Sequence, residues 1–159
     1  MQQQQQESNK AQKAFIAAQD IYQRDYQAFM QIVGALPENL RDQQGACGHW
    51  SPQDIIKHLC GWLTEAKRRY DRLPYGSGDY VYDADAMNEV FLWERKNQSW
   101  DMSVAELQGC SQVMQQAAQK IPAYQAEREP RYQRWLDAIS RNYRDHGSEI
   151  VTFQEATHS

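Results

Sequence analysis

From residue 132 to residue 153, Tyr132, Leu136, Ile139, Tyr143, His146, Ile150 and Phe153 recur at alternating steps of four and three. That rhythm follows the 3.6-residue turn of an α-helix and lays all seven side chains on one face. Phe15, Ala18, Tyr22, Tyr26, Phe29, Val33 and Leu36 keep the same alternation and stop at Pro37. A further stripe, Ile55, His58, Leu59 and Trp62, follows Ser51, Pro52 and Asp54: a hydroxyl N-cap, a proline at the first helical position and an acid in the first turn. It runs to about Leu73, where "LPYGSGD" breaks it. The remaining long stripe carries Leu107, Cys110, Met114, Ala117 and Ile121, stops at Pro122, and has Ser103 and Glu106 spaced as a capping box. No segment of useful length alternates with period two, so the chain predicts an all-α fold.

A helix with one apolar face must bury that face against another element. Four such helices predict a four-helix bundle. The long link between the second and third predicts a crossover that contains a short helix near residues 83–98, with Met87, Val90, Phe91 and Glu94 along one side. The 159 residues fit one domain, placed at 9–155, preceded by a disordered Gln-rich tail over residues 1–8.

The opening "MQQQQQESNK" has neither the basic nor the apolar region of a signal peptide, and no apolar run approaches the roughly 18 residues of a membrane span. Cys47, Cys60 and Cys110 are an odd count without CxxC spacing, which points to reduced thiols in a cytoplasm. A net charge of −4 with no basic run argues against nucleic acid as a partner.

The histidines carry the functional signal. His158 falls in the terminal tail and His49 just before a helix start, whereas His58 and His146 occupy core-facing positions of two different helices. A buried imidazole needs a partner, and two inward histidines on facing helices of one bundle are placed to meet. Asn142, one turn before His146, stacks on the same helix face. The spacing is compatible with two hydrogen-bonded core histidines and with a shared ligand site. Trp50, Trp62, Trp93, Trp135 and Tyr143 are candidates for an aromatic pocket around an apolar or flat molecule.

"GHWSPQDIIKHLCGW" resembles the second-helix signature of the DinB-like superfamily, in which a Trp-Ser/Thr opening leads to a helical His and then a Trp. "ISRNYRDHGSEIVTF" is similar to the last helix of that superfamily, and "DADAMNEVFLWERKNQSWDMSVAELQ" to its Asn-containing helix followed by a Ser-x-x-Glu helix start. The order and spacing of these stretches are closest to the ClbS/DfsB branch, over roughly residues 12–154.

The resemblance implies a divalent metal, zinc or nickel, held by one side chain of the second helix and an i, i+4 pair of the last. Matched by motif, these are His58, Asn142 and His146. An amide at residue 142, where relatives carry His or Glu, is a weak, uncharged ligand, so the expected metal site is degenerate, its metal weak or absent. Glu65 and Glu149 are candidates to complete it, and Asp145 is expected to point outward. The expected pocket residues are Trp62, Trp93 and Tyr143. Three functions follow from the resemblance. One is a pocket protein that acts on or sequesters a reactive small molecule. Another is a metal-dependent hydrolase or thiol-dependent transferase or isomerase. The third is a non-catalytic, homodimeric, stress-associated bundle. Whether the chain is an enzyme stays open at this point.

Overall fold

A computed structural model describes residues 1–157, and His158 lies outside the described residues. Six α-helices account for most of them: α1 (Gln2–Ala35), α2 (Pro52–Arg72), α3 (Ala84–Glu94), α4 (Trp100–Gln119), α5 (Ala123–Arg128) and α6 (Arg131–Thr157). Among the described residues there is no β-strand, only an isolated bridge between Cys47 and Trp50. No described helix is long and apolar enough to cross a membrane.

The expected stripes are the buried faces. All seven positions read on α6 are buried, as are six of the seven read at the end of α1 and its exit; Tyr26 is half-buried beside them. Asp25 is buried next to it and receives Arg144 at 2.5 Å, so the charge taken into the α1–α6 seam is paired. The long helices contact one another in a cycle: α1 packs along α6, α6 meets α2, α2 packs along α4, and α4 touches α1. The short α3 sits on α2, and α5 packs on α1.

Helix α2 starts as its sequence dictates. Ser51 Oγ accepts from Asp54 N at 3.1 Å, Asp54 Oδ2 accepts from Ser51 N at 3.0 Å, and Pro52 opens the first turn.

Four local expectations are revised. Residues 2–8 continue α1 instead of forming a loose tail: glutamines favour the helix, no breaker interrupts them, and Ser8 Oγ donates to Glu127 of α5 at 2.7 Å. Helix α4 is capped by Ser99, whose side chain accepts from Met102 N. Ser103 is instead buried one turn inside, bonded to Gln98, and Glu106 pairs with Arg95. The stretch before the last helix is partly helical itself: α5 takes in the first three residues of "AEREP".

The fourth revision concerns α3, which is rotated about its axis: Asn88, Phe91 and Arg95 face the protein, while Val90 is 49% exposed and Glu94 lies outside. Gly61 explains the rotation. A Cβ there would collide with the Phe91 ring and lie 2.6 Å from Phe91 Cβ, so only glycine lets α3 seat Phe91 against α2.

Candidate functional site

The chain enters α2 through a tight turn in which Trp50 O accepts from the backbone N–H groups of Gly45, Ala46 and Cys47. Gly48, at φ 56°, takes the left-handed conformation the turn requires. The turn brings Trp50 over His58, with ring centroids 4.8 Å apart, and sets Cys47 beside His146 and Glu149 of α6.

Two turns into α2, His58 is buried and meets His146 of α6, the two Nε2 atoms lying 3.1 Å apart. This is the juxtaposition expected from the two stripes. Each imidazole has a second partner on its Nδ1: Asn88 Oδ1 at 2.9 Å for His58, and Glu149 Oε2 at 2.6 Å for His146.

The polarity of this chain of contacts can be worked out from one end. Trp62 Nε1 lies 2.8 Å from the same Asn88 atom that contacts His58. An indole nitrogen only donates, so that atom is the amide oxygen, and His58 Nδ1 must also donate to it. His58 is neutral near pH 7: burial, reinforced by the positive charge His146 can carry and only partly offset by Asn88, pushes its pKa from 6.5 down to about 4. With Nδ1 protonated, His58 Nε2 carries a lone pair and accepts, so the proton of the 3.1 Å contact belongs to His146 Nε2. His146 Nδ1 then faces a carboxylate oxygen at 2.6 Å, a contact that requires a cation between the two atoms. In the protein alone that cation is a proton.

Beside His58 the helices leave a cavity of about 480 Å³. Trp62, Tyr82 and Trp135 wall it, with Tyr82 edge-on to both indoles at centroid distances of 5.4 and 5.9 Å. Asn88, Asn142 and the guanidinium groups of Arg131 and Arg134 supply its polar lining. Arg131 is held by Glu129 and Asp79, whereas the exposed Arg134 side chain has no hydrogen bond or ion pair of that kind among the described residues. Buried Glu65 fixes the wall from behind, accepting from Tyr82 Oη and from Arg68, each at 2.8 Å.

Of the residues expected at a site, His58, Trp62 and Asn142 line this cavity and His146 touches it through His58. Two pocket assignments are overturned. Trp93 is 67% exposed, carried outward by the rotation of α3, with Lys96 above its ring. Tyr143 is buried between α6 and α1, where its hydroxyl meets Ser111 Oγ. Of the two proposed extra carboxylates, Glu149 does reach His146, Glu65 is engaged elsewhere, and Asp145 is exposed as expected.

Asn88 and Cys47 escaped the sequence reading. The signal for Asn88 lay on α2: His58 and Trp62, one turn apart, put two N–H donors on one buried face, and such donors need an acceptor.

The residues suit a metal only in part. Both imidazoles have their outer nitrogens anchored on oxygen acceptors, the arrangement that orients metal-bound histidines. Two nitrogens bonded to one tetrahedral ion lie roughly 3.3 Å apart, close to the observed spacing. The third position, Asn142, offers only an amide.

No family model matches the chain, and no curated protein matches it. Among solved structures it is similar to an uncharacterised protein from Escherichia coli UTI89, with a TM-score of 0.77 at 15% identity over 91% of this chain and 92% of that one. At that identity the likeness speaks for the fold alone.

Proposed function

We propose that the chain is a DinB-like four-helix bundle of the ClbS/DfsB type that binds a small, flat, largely apolar molecule beside His58 and supplies it with a proton. The cycle of neighbours α1, α6, α2 and α4 supports the bundle. The observation that carries the chemistry is the oriented hydrogen-bond chain from Glu149 through His146 to His58, which ends in the wall of the aromatic cavity.

A ligand atom that replaces Asn88 Oδ1 as acceptor takes the Nδ1 proton of His58. His58 Nε2 in turn takes the Nε2 proton of His146, whose remaining proton stays on its Nδ1, hydrogen-bonded to the Glu149 carboxylate. Each imidazole ends neutral, so the step moves one charge without leaving a buried one unpaired. A neutral His58 suits this role because it passes a proton on instead of holding it. The chemistry served is the opening of a reactive bond whose leaving atom needs a proton.

The test uses a fluorescent anilinonaphthalene sulfonate for binding and a small aryl epoxide for chemistry. Wild type should bind the dye one to one, and Trp135→Ala should weaken it about tenfold or more, the effect of about 1.4 kcal/mol. His58→Phe should still bind but lose acceleration of epoxide hydrolysis. Dye binding untouched by Trp135→Ala, or equal rates with and without His58, would reject the corresponding half of the proposal.

A second reading, a degenerate metal site at His58, Asn142 and His146, is favoured by the anchored outer nitrogens. It expects Asn142→His to raise zinc or nickel affinity, since an imidazole then replaces the amide. Unchanged affinity in a calorimetric titration removes residue 142 from any coordination sphere.

A further inference from the structure

On the face of His146 turned away from the cavity, three different donors converge. Cys47 Sγ, a ring nitrogen of His146 and a carboxylate oxygen of Glu149 all lie within 4.8 Å of one another. They come from two anchored pieces of backbone: the glycine turn before α2 supplies Cys47, and one turn of α6 supplies His146 and Glu149 at i, i+3. All three are half-buried or buried, sheltered yet within reach of solvent.

We propose that Cys47, His146 Nδ1 and Glu149 form a binding site for a zinc-like divalent cation, distinct from the facing Nε2 atoms. Thiolate, imidazole and carboxylate are the three donor types zinc takes, at about 2.3 Å for sulfur and 2.0–2.2 Å for nitrogen and oxygen. Donors that share one such ion stand roughly 3.3–3.6 Å apart, so the cluster closes on it with small side-chain rotations.

The hydrogen-bond chain is the second, independent observation. Trp62 fixes the orientation of Asn88, Asn88 fixes the tautomer of His58, and His58 accepts the proton of His146 Nε2. Neutral His146 is thereby left with its lone pair on Nδ1, aimed at Glu149. A bare nitrogen and a carboxylate at 2.6 Å are joined by a proton that a metal ion can replace, and the thiol of Cys47 is the soft third donor beside them. His58 becomes the residue that orients a ligand, a supporting role of the kind metal-bound histidines require. On binding, the ion displaces the proton shared by His146 and Glu149 and the proton of Cys47, and solvent completes the coordination.

Cobalt(II) titration of the tag-free protein tests this, because a thiolate bonded to cobalt gives a near-ultraviolet charge-transfer band that nitrogen and oxygen ligands do not. Wild type should show the band at one equivalent, and excess zinc should abolish it. Cys47→Ser should lose the band and bind at least tenfold more weakly, and Glu149→Gln should weaken binding while keeping the band. His58→Ala should keep it too, since His58 only orients. No band in wild type, or a band surviving Cys47→Ser through Cys60 or Cys110, overturns the site. So does binding that survives Cys47→Ser but vanishes in a folded His58→Ala protein, which would place the ion between the Nε2 atoms. Circular dichroism of each variant establishes folding, and Cys47→Ala stands in for a serine variant that does not fold.

Discussion

Asn142 and Tyr143 are neighbours on α6, yet they face two aromatic regions built on opposite plans. Around Tyr143 the rings of Tyr22, Tyr26 and Phe29 close in at centroid distances of 5.6–5.8 Å, and the hydroxyls of Tyr143 and Tyr22 end on Ser111. Around Asn142 the rings of Trp62, Tyr82 and Trp135 stand at similar spacing but surround space. The first layer is drawn from long helices, α1 and α6, packed along much of their lengths, with α4 supplying Ser111. The second borrows one wall from the crossover, where an eleven-residue helix and the strand-free link before it rest on α2. A long helix presents a side chain at every turn and fills the space in front of it. A crossover can stand off, held by a few anchors, and those anchors (Phe91 on Gly61, Asn88 on His58 and Trp62, Tyr82 on Glu65) keep the cavity open.

The sharpest way to separate the two regions is pH. His58 refuses its proton in the folded protein until about pH 4, while in the unfolded chain it binds one near 6.5. Its folded pKa is depressed, so stability is full above about 6.5 and falls as pH drops toward 4, by at most about 3 kcal/mol for this group. Urea unfolding across that window should show the loss, and His58→Gln should flatten it. The closed layer responds at the other end: burial lifts Tyr22 from 10 to about 12, so its contribution holds below pH 10 and is lost as pH rises toward 12.

Gly61→Ala should strike the open region next. The added methyl meets the Cβ of Phe91 as well as its ring, so a rotamer change does not relieve the clash and α3 must lift. A cost of about 1–3 kcal/mol is expected in chemical denaturation, together with weaker dye binding in the cavity. Tyr143→Phe acts on the closed region: Ser111 Oγ loses its partner, which costs about 1–3 kcal/mol. Dye binding should not change, and a parallel loss of affinity would show that the two regions are coupled. The smallest effect belongs to Trp93→Ala, within about 0.5 kcal/mol and without change in binding, because that indole stands in solvent.

Helical periodicity is a local property, and what depends on it could be read from the chain: four long helices, their buried faces, the Ser51 cap, and the meeting of His58 with His146. Each helix carries its stripe in its own 3.6-residue repeat, and two histidines on inward stripes have little room to avoid one another. What surrounds those histidines depends on contacts between residues distant in sequence. α3 has a weak stripe, and its rotation is decided by a missing Cβ at Gly61, thirty residues earlier; the same rotation turns Asn88 inward and Trp93 outward. Cys47 reaches α6 only because a turn with two left-handed glycines aims it there. Ser103 shows the same limit from within a helix: its spacing to Glu106 is that of a cap, yet Ser99 takes the role and the docking of α4 on α2 buries Ser103. Periodicity specifies which residues turn inward, whereas the partner each one meets is a matter of how separate elements dock, and no short stretch of chain encodes that.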